Sequence, residues 1–319
     1  MYPNHGYATM IADRIRTDAY VRAIQSTVRD GSVVVEIGTG VGFFAIVAAR
    51  RGAARVYAFE TSPAIFVAQK IAEVNGSPPI QFIHADAKRI QLTERADVII
   101  SDLRGALPPF EAHFPTIIDA RQRFLSETGV LVPKRDVLCA ALVEAERHYS
   151  YNVGIWSQIS DDINLEPARS LETTIPHKTV LNEGQLLSDA REWAILDYMT
   201  MDRPFVQGGL QLQATRAGTC HGIAVWFDTV LCEGVGFSNH PSRPAVIYGQ
   251  TIFPFMQPFQ VSAGDKVEAV FSTDVVESTH VWRWRGTTPA GEFDQCIDNT
   301  FGSLSASHAL RTVSLQAVV

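Results

Sequence analysis

The first 133 residues alternate short apolar runs with stretches whose apolar residues recur at helical spacing. Residues 32–37 form a β-branched run that ends at a glycine cluster, and residues 43–51 follow it with alanine and apolar side chains suited to a helix. A second strand is expected at 55–59. Ser62 then stands as an N-cap with Pro63 behind it, predicting a helix that runs to the Asn75-Gly76 stop. Further strands are expected at 80–83, 96–101 and 130–132. Strands and helices in this alternation predict an α/β fold with a parallel, doubly wound, Rossmann-like sheet.

The pattern changes after Pro133. Helical spacing becomes rare, and short strand-like runs at 222–229, 250–255, 266–272 and 280–285 dominate. In the last of these Trp282 and Trp284 share one face while Arg283 and Arg285 share the other, a period of two. The reading is two domains, 1–133 Rossmann-like and 134–319 mostly antiparallel β and barrel-like. The segment 155–187 between them is polar and irregular, with a helical flavour at its end.

Bulk properties narrow the function. The chain has 319 residues, enough for about two domains. Its net charge is −7 with no block of consecutive Lys or Arg, which argues against a nucleic-acid partner. No apolar run is long enough to span a membrane, and no secretory signal opens the chain, so a cytoplasmic enzyme with no membrane partner is expected. Cys139, Cys220, Cys232 and Cys296 form no C-x-x-C pair. Neither a disulfide framework nor a structural metal is expected.

The chemistry centres on Glu36-Ile37-Gly38-Thr39-Gly40-Val41-Gly42, between a predicted strand and a predicted helix. Glycines there let the backbone turn tightly and approach a ligand. A dinucleotide fingerprint would need its third glycine at Phe43, so the spacing departs from that class. The acid two residues before the loop suits a ligand carrying an ammonium, as S-adenosylmethionine does. Glu60, with Thr61 behind it, closes the next strand and is placed for ribose hydroxyls. Asp86-Ala87 follows the third strand, where an adenine edge would lie. A glycine loop alone is as compatible with a tight turn beside solvated acids. Three acids at the carboxyl ends of successive strands make S-adenosyl-L-methionine the expected cofactor, with no metal needed.

These residues resemble the protein arginine methyltransferase family. Residues 10–17 resemble its N-terminal helix that covers the cofactor, which implies that Arg16 binds the cofactor's methionine carboxylate. Residues 35–42 match its first motif, covering Glu36, Gly38, Thr39, Gly40 and Gly42, and 98–101 match the strand before its double-glutamate loop. Residues 222–228 resemble one of its barrel strands. Pro133 lies where the family joins its domains, and 155–187 where its dimerisation arm would fall, so a homodimer is implied.

The family's loop reads S-E-W-M-G-Y with a second glutamate nine residues after the first. Here it reads Ser101-Asp102-Leu103-Arg104-Gly105, with Glu111 nine residues after Asp102. Two carboxylates can localise the charge of a guanidinium, whose nitrogens are otherwise poor nucleophiles, and aim one at the methyl group.

Three departures stand out. Arg104 replaces the family's methionine, and would either pair with Asp102 or reach the carboxylate of a small substrate. The T-H-W-x-Q loop becomes Val246-Ile247-Tyr248-Gly249-Gln250, with isoleucine for histidine, while Thr279-His280-Val281-Trp282 lies elsewhere and reads as strand packing. Only Tyr2 and Tyr7 stand where a longer substrate-covering helix would be.

The resulting expectation is an N-methyltransferase acting on a guanidino group, with Asp102, Glu111 and Arg104 at the acceptor. Free arginine or an arginine-bearing small molecule or peptide is the favoured acceptor. The alternatives are a C-, O- or N-methyltransferase of small metabolites and a cofactor-binding scaffold without catalysis.

Overall fold

The computed structural model describes residues 4–158, 162–276 and 279–296. Helices α1 (Asn4–Ala12) and α2 (Arg14–Thr27) lead into β1 (Val33–Ile37), α3 (Phe43–Arg50), β2 (Arg55–Glu60), α4 (Ala64–Val74), β3 (Gln81–His84), β4 (Ala96–Ser101), α5 (His113–Phe124) and β5 (Leu125–Val132). The five strands lie in the order β3-β2-β1-β4-β5, and every neighbouring pair is parallel.

β1 is buried along its whole length, which is why it reads as an unbroken apolar run. Its alternate residues serve two cores. Val33, Val35 and Ile37 pack with Phe114, Ile117 and Phe124 of α5, while Val34 packs with Ala19, Tyr20 and Ala45 of α2 and α3. The chain order reverses between β1 and β4, and ligands in such sheets bind in the crevice beyond those strand ends. The glycine loop follows β1 and the Asp102 loop follows β4, so both open onto one crevice.

Past Val132 the chain enters a second, antiparallel structure. It comprises β6 (Arg135–Val143), α6 (Glu146–Asn152), α7 (Glu166–Glu172), β7 (His177–Thr179), β8 (Arg191–Asp197), β9 (Val206–Gln213), β10 (Gly218–Cys232), β11 (Val235–Ser238), β12 (Gln250–Val261), β13 (Lys266–Val276), β14 (Thr279–Thr288) and β15 (Gly291–Cys296). One sheet runs β7-β12-β10-β6-β8 with β11 on β10, and the other runs β15-β14-β13-β9. Aromatic side chains fill the space between them. Phe253 meets Trp284 and Phe271 at ring separations of 5.1 and 5.0 Å, and Trp193 meets Phe271 at 5.1 Å. The result is an α/β Rossmann-like domain followed by an antiparallel, barrel-like one. Helix α2 packs against β10 and β11 as well as against α3, so the halves share a wall.

Several expectations shift in detail. The strand expected at 130–132 begins at Leu125, because its first half carries exposed polar residues that hide it in the pattern. Ser62 does accept the Ala64 N–H at 3.3 Å, but the residue that enters α4 is Pro63. The segment 155–187 is ordered around α7 and β7 where described, and β7 pairs with β12. Tyr2 lies outside the described residues. Among the described residues no helix is long and apolar enough to cross a membrane, and no group of three metal-ligating side chains occurs.

Candidate active site

A cavity of about 460 Å³ opens at the crevice beyond β1 and β4, a size suited to a small-molecule ligand. Gly38, Thr39, Gly40, Glu60, Thr61, Asp86 and Ala87 line one end, Asp102, Arg104 and Glu111 the other, and Arg16 and Glu36 lie between them. The glycine loop needs its glycines. Gly38 and Gly40 have φ of +75° and +55°. A Cβ on Gly38 would stand 2.5 Å from Leu103, and one on Gly40 2.6 Å from the Tyr7 ring.

Glu60 braces this loop from within. Its Oε2 accepts the Gly40 N–H at 2.9 Å and its Oε1 accepts the Ser62 N–H at 2.8 Å. Thr39 donates to Glu36 at 2.6 Å. Glu36 is only 3% exposed, and burial pushes its carboxyl up to about 8. Tyr7, Met10 and Ile11 of α1 close the cavity from above. A glycine cradle with buried carboxylates beneath it, an arginine at its side and a helix over it fits a ligand carrying an ammonium, a carboxylate and vicinal hydroxyls.

The other end is a buried ionic knot around Asp102. Arg16 reaches Asp102 Oδ2 through Nε at 2.7 Å and Nη2 at 2.6 Å, and Arg104 Nε reaches Oδ1 at 3.0 Å. The Tyr248 hydroxyl donates to Oδ2 as well. Burial alone would raise the Asp102 carboxyl. The two guanidinium charges and the tyrosine override it and hold the group well below the usual carboxylate range.

Arg104 continues the knot into the barrel. Its Nη1 donates to Asp136 at 2.9 Å and Thr229 at 2.8 Å, and its Nη2 to Tyr20 at 2.7 Å and Tyr248 at 3.4 Å. With Nε on Asp102, these bonds occupy all five of its donors. Arg16 is less committed: besides Asp102 it reaches, among the described residues, only the Met10 carbonyl and the Tyr248 hydroxyl, which leaves hydrogens on both terminal nitrogens.

Glu111 differs from Asp102 in every respect. It is exposed, lines the cavity, and sits at φ +42°, a conformation rare for residues other than glycine and concentrated at functional sites. His113, two residues on, is buried and also lines the cavity. Its Nδ1 faces the Pro108 carbonyl at 2.9 Å while Nε2 has no partner among the described residues, and burial pushes the imidazole down to about 4.

Two family models match the chain. One, described as the arginine methyltransferase oligomerization subdomain, covers residues 134–281, and the other, described as ribosomal protein L11 methyltransferase, covers 15–147. Protein arginine N-methyltransferase 1 of Schizosaccharomyces pombe is 28% identical over 289 residues, covering 85% of this chain and 82% of that protein. The probable protein arginine N-methyltransferase 6 of Arabidopsis thaliana is 28% identical over 256 residues, which are 76% of this chain but 58% of the longer plant protein. The chain is similar to the protein arginine methyltransferases along most of its length.

Solved members of the family share the fold. A Trypanosoma brucei enzyme–prozyme heterotetramer of protein arginine methyltransferase 1, solved with AdoHcy, superposes with a TM-score of 0.82 at 21% identity, over 91% of this chain and 96% of that one. Protein arginine methyltransferase 10 of Arabidopsis thaliana gives 0.79 at 20% identity, over 92% and 97%.

Most of the expected cofactor residues line one cavity. Gly42 does not. It lies against Ala68, where an added Cβ would stand at 2.9 Å, and it starts α3 with φ +83°. Its role is helix entry and packing. Arg104 is corrected too: with its side chain fully buried and every donor used, it pairs with Asp102 and holds none for a substrate carboxylate. Ile247 lacks the family histidine's side-chain chemistry, yet its backbone N–H reaches Asp13 Oδ2 at 2.7 Å and keeps the loop on α2. His280 lies in β14 against Phe114 and Thr273, as strand packing. Tyr248, Asp136, Thr229 and Tyr20 complete the knot and were not anticipated. The first stands in the motif-like loop and offered a local signal. The others are brought in by tertiary structure alone.

Proposed function

We propose that this protein transfers a methyl group from S-adenosylmethionine to a guanidino nitrogen of arginine in a polypeptide. The observation that carries the reading is the single cavity with the glycine loop, Glu60 and Asp86 at one end and Asp102 and Glu111 at the other. When bound, the cofactor supplies an electrophilic methyl on a sulfonium. Glu60 would take ribose hydroxyls, Asp86 the adenine edge, Glu36 the ammonium and Arg16 its spare donors to the carboxylate.

At the acceptor end the roles divide. Asp102 is held ionised by its own arginines, so it keeps a negative charge facing the cavity but has few free lone pairs. Glu111 is the freer carboxylate. It would grip the incoming guanidinium, draw charge to one side of it and leave the other nitrogen to attack. A guanidinium losing its proton during transfer would pass it to Glu111 and solvent.

A polypeptide acceptor is favoured over free arginine for two reasons. The relatives are named for protein arginine, and the group expected to bind a small substrate's carboxylate, Arg104, has no donor left. A homodimer is part of the same reading. Tyr151, Ile155 and Ile163, between β6 and β7, leave apolar side chains 75%, 42% and 67% exposed for a second copy to cover.

The second reading, a cofactor-binding subunit without catalysis, is favoured by the Asp102 carboxylate being already paired with Arg16 and Arg104. Mass spectrometry after incubation with S-adenosylmethionine and an arginine-rich peptide, free arginine or a phenol separates the readings. A gain of one methyl mass on the peptide, lost by at least about 100-fold in Glu111→Gln with cofactor affinity retained, supports arginine transfer. Methylation unaffected by Glu111→Gln overturns it, and cofactor binding with no acceptor modified supports the second reading.

A further inference from the structure

A second depression, about 570 Å³ in volume, lies between α2 and the β10–β11 hairpin. Arg14, Asp18 and Arg22 line one wall at a spacing of four residues, which stacks them on one helix face. Arg243 stands on the other wall, and Ile15 and Phe237 supply apolar surface. Arg14 is paired with Asp18 at 2.8 Å, with both side chains well exposed. Three guanidinium groups and one carboxylate leave an excess of two positive charges, on a chain whose net charge is −7.

The groove abuts the acceptor end of the active site. The Phe237 ring stacks on Tyr248 at 5.9 Å with the planes 9° apart, and Tyr248 lines the catalytic cavity and bonds Asp102. The Asp13–Ile247 bond ties the loop after Arg243 to the start of α2, so groove and cavity share a braced wall.

We propose that this groove binds an acidic stretch of the polypeptide whose arginine enters the active site. The proposal rests on the polypeptide reading above and deepens it into a sequence preference: glutamate or aspartate near the acceptor arginine. The local excess of positive charge favours an acidic ligand at this face over any other part of a chain whose net charge is −7. The apolar surface beside the arginines favours a peptide over a bare anion, because a chain can lay methylene groups on Ile15 and Phe237 while its carboxylates reach the guanidinium groups. Arg22 and Arg243 take part in none of the active-site bonds, so their charge can be changed without touching the cavity.

The test uses the full chain saturated with S-adenosylhomocysteine and two fluorescent peptides. Both carry one arginine, flanked by glutamates in one and by glutamines in the other, and anisotropy reads binding. The glutamate peptide is expected to bind at least tenfold more tightly at low salt, with the preference shrinking as salt rises. Arg22→Glu with Arg243→Glu is expected to erase the preference while leaving S-adenosylhomocysteine affinity and glutamine-peptide affinity unchanged. Equal binding of the two peptides overturns the proposal. So does a preference that survives the double variant, and so does displacement of the glutamate peptide by millimolar inorganic phosphate, which would mark a simple anion site. Binding needs no turnover. A charge-dependent preference without methylation of either peptide would leave the groove standing and bring down the catalytic reading alone.

Discussion

Arg104 and Asp136 meet across the boundary between the parallel sheet and the barrel, Nη1 to Oδ1 at 2.9 Å, with neither side chain reaching solvent. Asp136 opens β6 and also accepts from the Tyr198 hydroxyl at 2.6 Å. The loop that carries Asp102 is therefore anchored to the second domain by a fully buried charge pair. Removing one member of such a pair strands the other, at a cost of about 3–5 kcal/mol. Arg104→Met, which places the family's methionine here, should lower the unfolding free energy measured in urea by that order. Adding Asp136→Asn should recover a large part of the loss. A single variant as stable as the parent would mean that the pair contributes nothing to holding the domains.

Asp13 does two jobs at the junction of α1 and α2. One carboxylate oxygen accepts the Arg16 N–H at 3.2 Å as an N-cap, and the other accepts the Ile247 N–H at 2.7 Å. A lost N-cap costs about 1 kcal/mol, and a lost hydrogen bond to a charged group about 1.5–3 kcal/mol. Asp13→Ala should thus destabilise by about 2–4 kcal/mol in chemical denaturation. Because the same junction aims Tyr7, Met10 and Ile11 over the cavity, cofactor affinity should fall as well. Asp13→Asn, whose single amide oxygen can accept only one of the two bonds, should recover only part of both properties.

Gly40 offers a sharper probe of the cavity. Its φ of +55° and the Tyr7 ring 2.6 Å from an added Cβ mean that alanine must strain the loop and push the lid aside. Gly40→Ala should cost about 1–2 kcal/mol in stability and weaken S-adenosylhomocysteine binding by more than tenfold in calorimetry. Wild-type affinity in that variant would show that Tyr7 does not close over the bound molecule.

The parallel sheet was legible because β1, β2 and β4 are buried apolar runs bounded by glycine, proline or a charged turn, so their pattern is local. The antiparallel half was only partly so. β9 carries Gly208 and Gly209, which weaken its strand character, and is recognisable through its pairing with β13. Helices α6 and α7, seven residues each, are too short to show a period. At the site, the glycine loop and the strand-end acids are written in sequence spacing. The fate of Arg104 is not, since its partners Asp136 and Thr229 lie 32 and 125 positions away. Sequence placed a cation beside Asp102, and only the fold shows that it is spent there.

Glu36 links cofactor binding to pH. Burial raises its carboxyl to about 8, so at pH 7 the free protein carries it mostly protonated. A ligand ammonium beside it favours the carboxylate, so binding should expel a proton. Affinity should then rise with pH by up to about tenfold per unit between pH 6 and 8 and level off above. Stability of the unliganded chain runs the other way. A carboxyl whose folded value is raised holds its proton more tightly when folded. Its contribution is complete below about 4.5 and is lost as pH climbs towards 8, at up to about 1.4 kcal/mol per pH unit. Calorimetry of S-adenosylhomocysteine binding in buffers of different ionisation enthalpy reads the proton directly. Glu36→Gln, which cannot titrate, should bind with an affinity flat across this range, and a wild-type affinity equally flat would mean that Glu36 does not meet the ammonium.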